Sequence, residues 1–158
     1  ARYGLAELVN IHEPSLVFEP IHRVIFGTNT ETCFEEAAVF FEGLKGAGGT
    51  EHTILLVCGG KTGKIAVEGL TFGALIAAAQ RFCEAYSAAH GGAIDYIHGD
   101  DTAREMSGKR GCTGLLLPAM DKSALFPSIM ESGVFPAKSF SIGPARDKRY
   151  YLECRKIK

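Results

Sequence analysis

The chain has 158 residues, with 17 basic and 18 acidic side chains and a formal charge of −1. That balance argues against a strongly basic nucleic-acid binder and against an acidic disordered tail. With 46% hydrophobic and 22% charged residues, the composition is that of a globular domain with a substantial core. No apolar run approaches the ~20 residues of a membrane-spanning helix, and no signal peptide is present. The five cysteines, Cys33, Cys58, Cys83, Cys112 and Cys154, are odd in number and widely spaced with no CxxC pair. They are therefore expected to be free thiols in a reducing, cytoplasmic setting, not a zinc site or a disulfide framework.

In chain order, Tyr3 to Ile11 reads as a strand ended by His12-Glu13-Pro14. Leu16-Val17-Phe18 leads through Pro20 into a second extended stretch, Ile21 to Phe26, closed by Gly27. A helix is expected from Glu31 to Leu44, where Cys33, Ala37, Phe40, Phe41 and Leu44 recur at helical spacing. Gly46-Ala47-Gly48-Gly49 is a flexible break. Thr53 to Cys58 and Lys64 to Val67 read as a hairpin across Gly59-Gly60-Lys61-Thr62-Gly63. The longest helix runs from Phe72 to Ala89, with Leu75, Ile76, Ala79, Phe82, Cys83 and Tyr86 on one face, and stops at Gly91-Gly92.

Ala93 to Ile97 is a short strand that delivers His98-Gly99-Asp100-Asp101, and Asp100 or Asp101 is placed to cap a helix through Met106. Gly114 to Leu117 is a buried strand, and Ser123 to Glu131 a helix. Lys138 to Ile142 and Arg149 to Ile157 are terminal extended segments. Interleaved strands and helices with a hairpin predict an α/β or α+β fold: a single compact domain over 1–158, with a mixed β-sheet flanked by helices.

Gly59-Gly60-Lys61-Thr62-Gly63-Lys64 invites a phosphate-loop reading, which fails. That pattern needs Gly at 58 and Ser or Thr at 65, where the chain has Cys58 and Ile65. Better candidates are polar groups at strand ends. His22 and Arg23 are consecutive in an extended run, so their side chains point to opposite faces; Arg suits a carboxylate or phosphate, and His titrates near neutrality. His98, Asp100 and Asp101 lie at a strand's carboxyl end before a helix, where α/β proteins place ligands. The helix end favours an anion; the paired carboxylates favour a divalent cation or simple capping. Lys138 beside Ser139 is a reasonable anion contact. The basic tail from Arg146 to Lys158 reads as a solvated edge strand.

Four segments together resemble a known family. They are Glu7 to Pro14, Phe18-Glu19-Pro20-Ile21-His22-Arg23-Val24, Tyr96-Ile97-His98-Gly99, and Phe135-Pro136-Ala137-Lys138-Ser139-Phe140. Their order resembles the carboxyl-terminal half of domain-of-unknown-function family 1015, over nearly the whole chain. The Pro-x-His-Arg and Pro-x-Lys-Ser steps are the most specific parts. Members usually continue from Lys-Ser with Thr-x-Phe and a Pro-Lys pair. Here Phe140, Ser141 and Ile142 follow, as in a divergent branch.

The resemblance implies no established activity. It implies an upstream Ala-Asp-Gly-His-His-Arg-like motif, similar to one in ParB-type nucleotide-binding proteins and free serine kinases, which is absent here. The chain, which opens without Met, is thus expected to be the C-terminal half of a longer protein and not catalytic alone. Its expected role is to contribute His22, Arg23, His98, Asp100, Asp101, Lys138 and Ser139 to a small-molecule or phosphate-ester site completed by a missing N-terminal half. His22 or Arg23, His98 and Lys138 are expected to converge on one concave surface. No metal site is assigned and no cofactor is identified. A non-catalytic scaffold or homo-oligomeric self-association domain is the alternative.

Overall fold

Strand β1, Phe18–Phe26, is the axis of the molecule. Its run of branched and aromatic residues suits a strand buried on both faces, and Pro20 falls near its start, where a lost N–H costs least. The computed structural model describes residues 9–44 and 50–144. After β1 come α1 (Cys33–Glu42), β2 (Thr50–Cys58), β3 (Lys61–Leu70), α2 (Phe72–His90), β4 (Ala93–His98), α3 (Asp100–Ser107) and β5 (Cys112–Leu116). A 3-10 turn at Lys122–Ala124 leads into α4 (Leu125–Ser132), and β6 is Phe140–Ile142.

The strands form one six-stranded sheet in the order β3-β2-β5-β1-β4, with β6 pairing the first residues of β1. Every ladder among the described residues is antiparallel, which selects α+β from the two expected classes. The hairpin is real: Cys58 pairs Lys61 across Gly59 and Gly60, both at positive φ (55° and 88°), as a two-residue turn of this hand requires. A strand therefore follows the glycines, and the phosphate-loop alternative is closed.

Side chains alternate between two helical layers. On one face Ile25, Ile54, Leu56 and Leu115 pack under Ala37 and Phe41 of α1 and Leu75, Ile76, Ala79 and Phe82 of α2. On the other face Val24, Val57, Ile97 and Leu116 meet Ala103 of α3. The apolar stripe of α2 is the one its 3.6-residue spacing predicts. Thr71 caps α2 by accepting from the Ala74 N–H (3.3 Å), and Gly91 at φ 77° ends it.

Cys33, Cys58, Cys83 and Cys112 are free and buried. The final strand expected at Arg149 to Ile157, the basic tail, Cys154 and the Gly46 to Gly49 break lie outside the described residues. Of the first expected strand, Tyr3 to Ile11, only residues 9–11 are described, and they lead into a turn. No helix among the described residues is long and apolar enough to cross a membrane.

Candidate functional site

The ladder between β1 and β4 sets the site. His22 opposes Ile97, Arg23 opposes Tyr96 and Ile21 opposes His98, so Arg23, Tyr96 and His98 share the α2 face while His22 faces α3.

His22 is fully buried. Its Nδ1 accepts from the Leu117 backbone N–H (3.1 Å), which places the ring proton on Nε2, and Nε2 donates to Asp100 Oδ1 (3.0 Å). Burial pushes its pKa below 6.5, partly opposed by the Asp100 carboxylate. The expectation that Asp100 or Asp101 caps α3 gives way here. Gly99, at φ 83°, occupies the N-cap with no side-chain cap bond, and both aspartates sit in the first turn, where the helix dipole favours them. Asp100 instead tethers α3 to β1. Its 61% exposed side chain, with Glu19, His98, Gly99, Asp101, Thr102 and Pro144, lines a cleft of about 470 Å³.

Arg23 is also fully buried. Its Nη1 donates to the Ile21 carbonyl and its Nε to Gln80 Oε1 on α2 (3.4 Å). Nη2 has no partner, and no carboxylate pairs with the guanidinium among the described residues. Burial lowers its pKa, though a guanidinium at neutral pH stays charged. The guanidinium carbon lies 5.3 Å from the centre of the Tyr96 ring. Lys138 Nζ lies 3.9 Å from the same centre.

A cation on a ring is worth roughly 0.5–2 kcal/mol. Burying an ion costs several kcal/mol. Tyr96 therefore does not balance the Arg23 charge by itself.

Lys138 has φ 57° and is the non-glycine residue at positive φ among those described, a conformation held only where surroundings impose it. Ser139 supplies part of that constraint: its Oγ donates to the Pro136 carbonyl (2.6 Å), so its donor is spent inside the loop. His98 Nδ1 is buried without a partner on the same sheet face.

The sequence-derived candidates fall into two adjacent groups. Arg23 and Lys138 meet at Tyr96. His98, Asp100 and Asp101 line the cleft, with His22 behind Asp100; neither Arg23 nor Lys138 lines it. The alternation that puts His22 and Arg23 on opposite faces separates His22 from Arg23, while His98 lines the cleft from the Arg23 face of the sheet. Sequence reasoning missed Tyr96, Gln80 and Glu19. Tyr96 carried a usable signal, since it stands two residues before His98 in a strand and so shares its face.

No curated protein and no solved structure was found to match the chain. A family profile described as a protein of unknown function (DUF1015) matches residues 1–86, which span β1 through most of α2. The Tyr96 to Gly99 and Phe135 to Phe140 steps lie beyond it, so the match covers the amino-terminal part of this chain where resemblance had been expected over nearly all of it. Residues 1–86 are more than half of the 158, and the chain belongs to the DUF1015 family.

Proposed function

We propose that this domain holds an anionic small molecule or phosphate ester at the β1–β4 face, with Lys138 as its solvent-side contact. His98, Asp100 and Asp101 form the neighbouring rim. On this reading the segment corresponds to the carboxyl-terminal half of a longer protein, whose preceding half completes the site and carries any chemistry. The observation that carries the reading is the placing of Lys138: an exposed lysine in a left-handed backbone, its ammonium on Tyr96 above a buried arginine that pairs with no carboxylate among the described residues.

The test removes that charge without changing the backbone. Asn tolerates the left-handed conformation, so Lys138→Asn should weaken glycerol phosphate binding about tenfold, as expected for loss of one charge-assisted contact, with little change in stability. A stability loss above about 2 kcal/mol would make Lys138 a structural residue. Self-association is a second reading. It is supported by Phe126 and Met130 on α4 and by Val134 beyond it, which are 59%, 88% and 93% exposed. Sedimentation of the purified chain at increasing concentration tests it.

A further inference from the structure

We infer that Arg23 is the inner cation of this site, that the group bound there is a phosphomonoester dianion, and that Tyr96 is the movable wall between that group and Arg23. The inference rests on the proposed anion site and extends it to ligand charge and route of entry.

Arg23 has donors to spare and no anionic acceptor among the described residues. Its described contacts, the Ile21 carbonyl, the Gln80 amide oxygen and the Tyr96 ring, are all neutral, and Nη2 is left unpartnered inside the protein. The planar guanidinium fork matches the spacing of phosphate oxygens. Lys138 adds a second positive charge against the same ring. A carboxylate would neutralise one of these cations. A phosphomonoester carries about 1.5 to 2 negative charges near neutral pH and matches both. His98 Nδ1, unpartnered two residues along the same strand face, is a further group able to meet a phosphate oxygen.

Arg23 is closed off from solvent, so the anion reaches it only if something moves. Tyr96 is the group in the way. It is half-buried and stands on β4, the strand at the end of the sheet order, with no strand described beyond it. Rotation of its side chain uncovers the guanidinium without breaking a ladder hydrogen bond, because the ladder uses only backbone groups.

Gln80 offers the discriminating substitution. The Gln80 amide nitrogen also donates to Glu84 Oε1 (2.9 Å), so Gln80→Glu is made with Glu84→Gln. It then places a carboxylate where the amide oxygen already accepts from Arg23 Nε, so the protein supplies its own anion. Phosphate affinity, measured by calorimetry at constant ionic strength with inorganic phosphate as the probe, should fall at least about tenfold in Gln80→Glu and in Lys138→Asn. Unchanged affinity in Gln80→Glu, with affinity lost in Lys138→Asn, overturns the role of Arg23 and leaves the anion site standing. Unchanged affinity in Lys138→Asn overturns the anion site itself. Should Gln80→Glu fail to fold, nitrogen-detected NMR of the wild-type arginine side chains decides: the Arg23 Nη resonances move on adding phosphate but not acetate. Resonances that ignore phosphate, or a wild-type chain that binds none, overturn the inference.

Discussion

His22 is where one side chain binds three elements. It belongs to β1, accepts from the N–H that follows β5, and donates to the first residue of α3. A protonated imidazole has no lone pair for the Leu117 N–H, so protonation breaks one of these links. The folded pKa is lowered from 6.5, so in the window below 6.5 the unfolded chain binds the extra proton first. This contribution to stability is complete above pH 6.5 and is lost as pH falls from there through the folded value. Urea midpoints of the wild type should drop between pH 7.5 and pH 5 by more than those of His22→Gln, which has no ring to titrate. Equal slopes would mean that other groups set the acid sensitivity.

Among the elements, the last turn of α3 rests directly on the sheet at Gly114. A Cβ added at Gly114 in the middle of β5 would stand 1.8 Å from Ser107 Oγ and 2.6 Å from Ser107 Cβ. Ser107 itself is fully buried, its hydroxyl donating to the Ala103 carbonyl (2.6 Å). Gly114 is thus the floor on which the last turn of α3 rests, and that close approach keeps Asp100, at the other end of the same helix, within reach of His22. Gly114→Ala should cost about 1–3 kcal/mol through overpacking. Adding Ser107→Ala should not restore stability, because the Cβ at 107 remains in the way. Chemical denaturation of the single and double variants measures both, and a neutral Gly114→Ala would show that the helix can lift freely.

For the molecule as a whole, the sheet is a partition with apolar layers on both faces, and three of the four described thiols belong to the thicker one. Cys33, Cys58 and Cys83 lie in the same cluster as Phe41, Phe82 and Tyr86. Burial pushes the Cys83 thiol up to about 12, so it stays protonated and unreactive at neutral pH. Cys58 is also shifted upward, by its hydrogen bond to Cys33 and by burial, and the same hydrogen bond shifts Cys33 downward. Because all four are buried, an aromatic disulfide reagent at pH 8 should modify Cys33, Cys58, Cys83 and Cys112 at the rate of unfolding, and quickly in urea. Rapid modification of the native protein, mapped by peptide mass spectrometry to any of these four, would contradict the packing.

Much of this protein is local and therefore legible in its residues. The face of α2 follows from 3.6-residue spacing, the β2–β3 turn from Gly59-Gly60, and β1 and β4 from runs of branched and aromatic side chains, because helix, turn and strand preferences act over a few neighbours. The same alternation rule already separated His22 from Arg23. What no local rule contains is which strands become neighbours. Only the pairing of β1 with β4 sets Tyr96 against Arg23, only the return of the loop before β6 lays Lys138 on that ring, and only the packing of α3 on Gly114 turns Asp100 from a helix cap into the partner of a buried histidine. These contacts join residues up to 78 positions apart. They are decided by how two apolar faces of one sheet are covered at once, a condition on the whole chain and not on any segment of it.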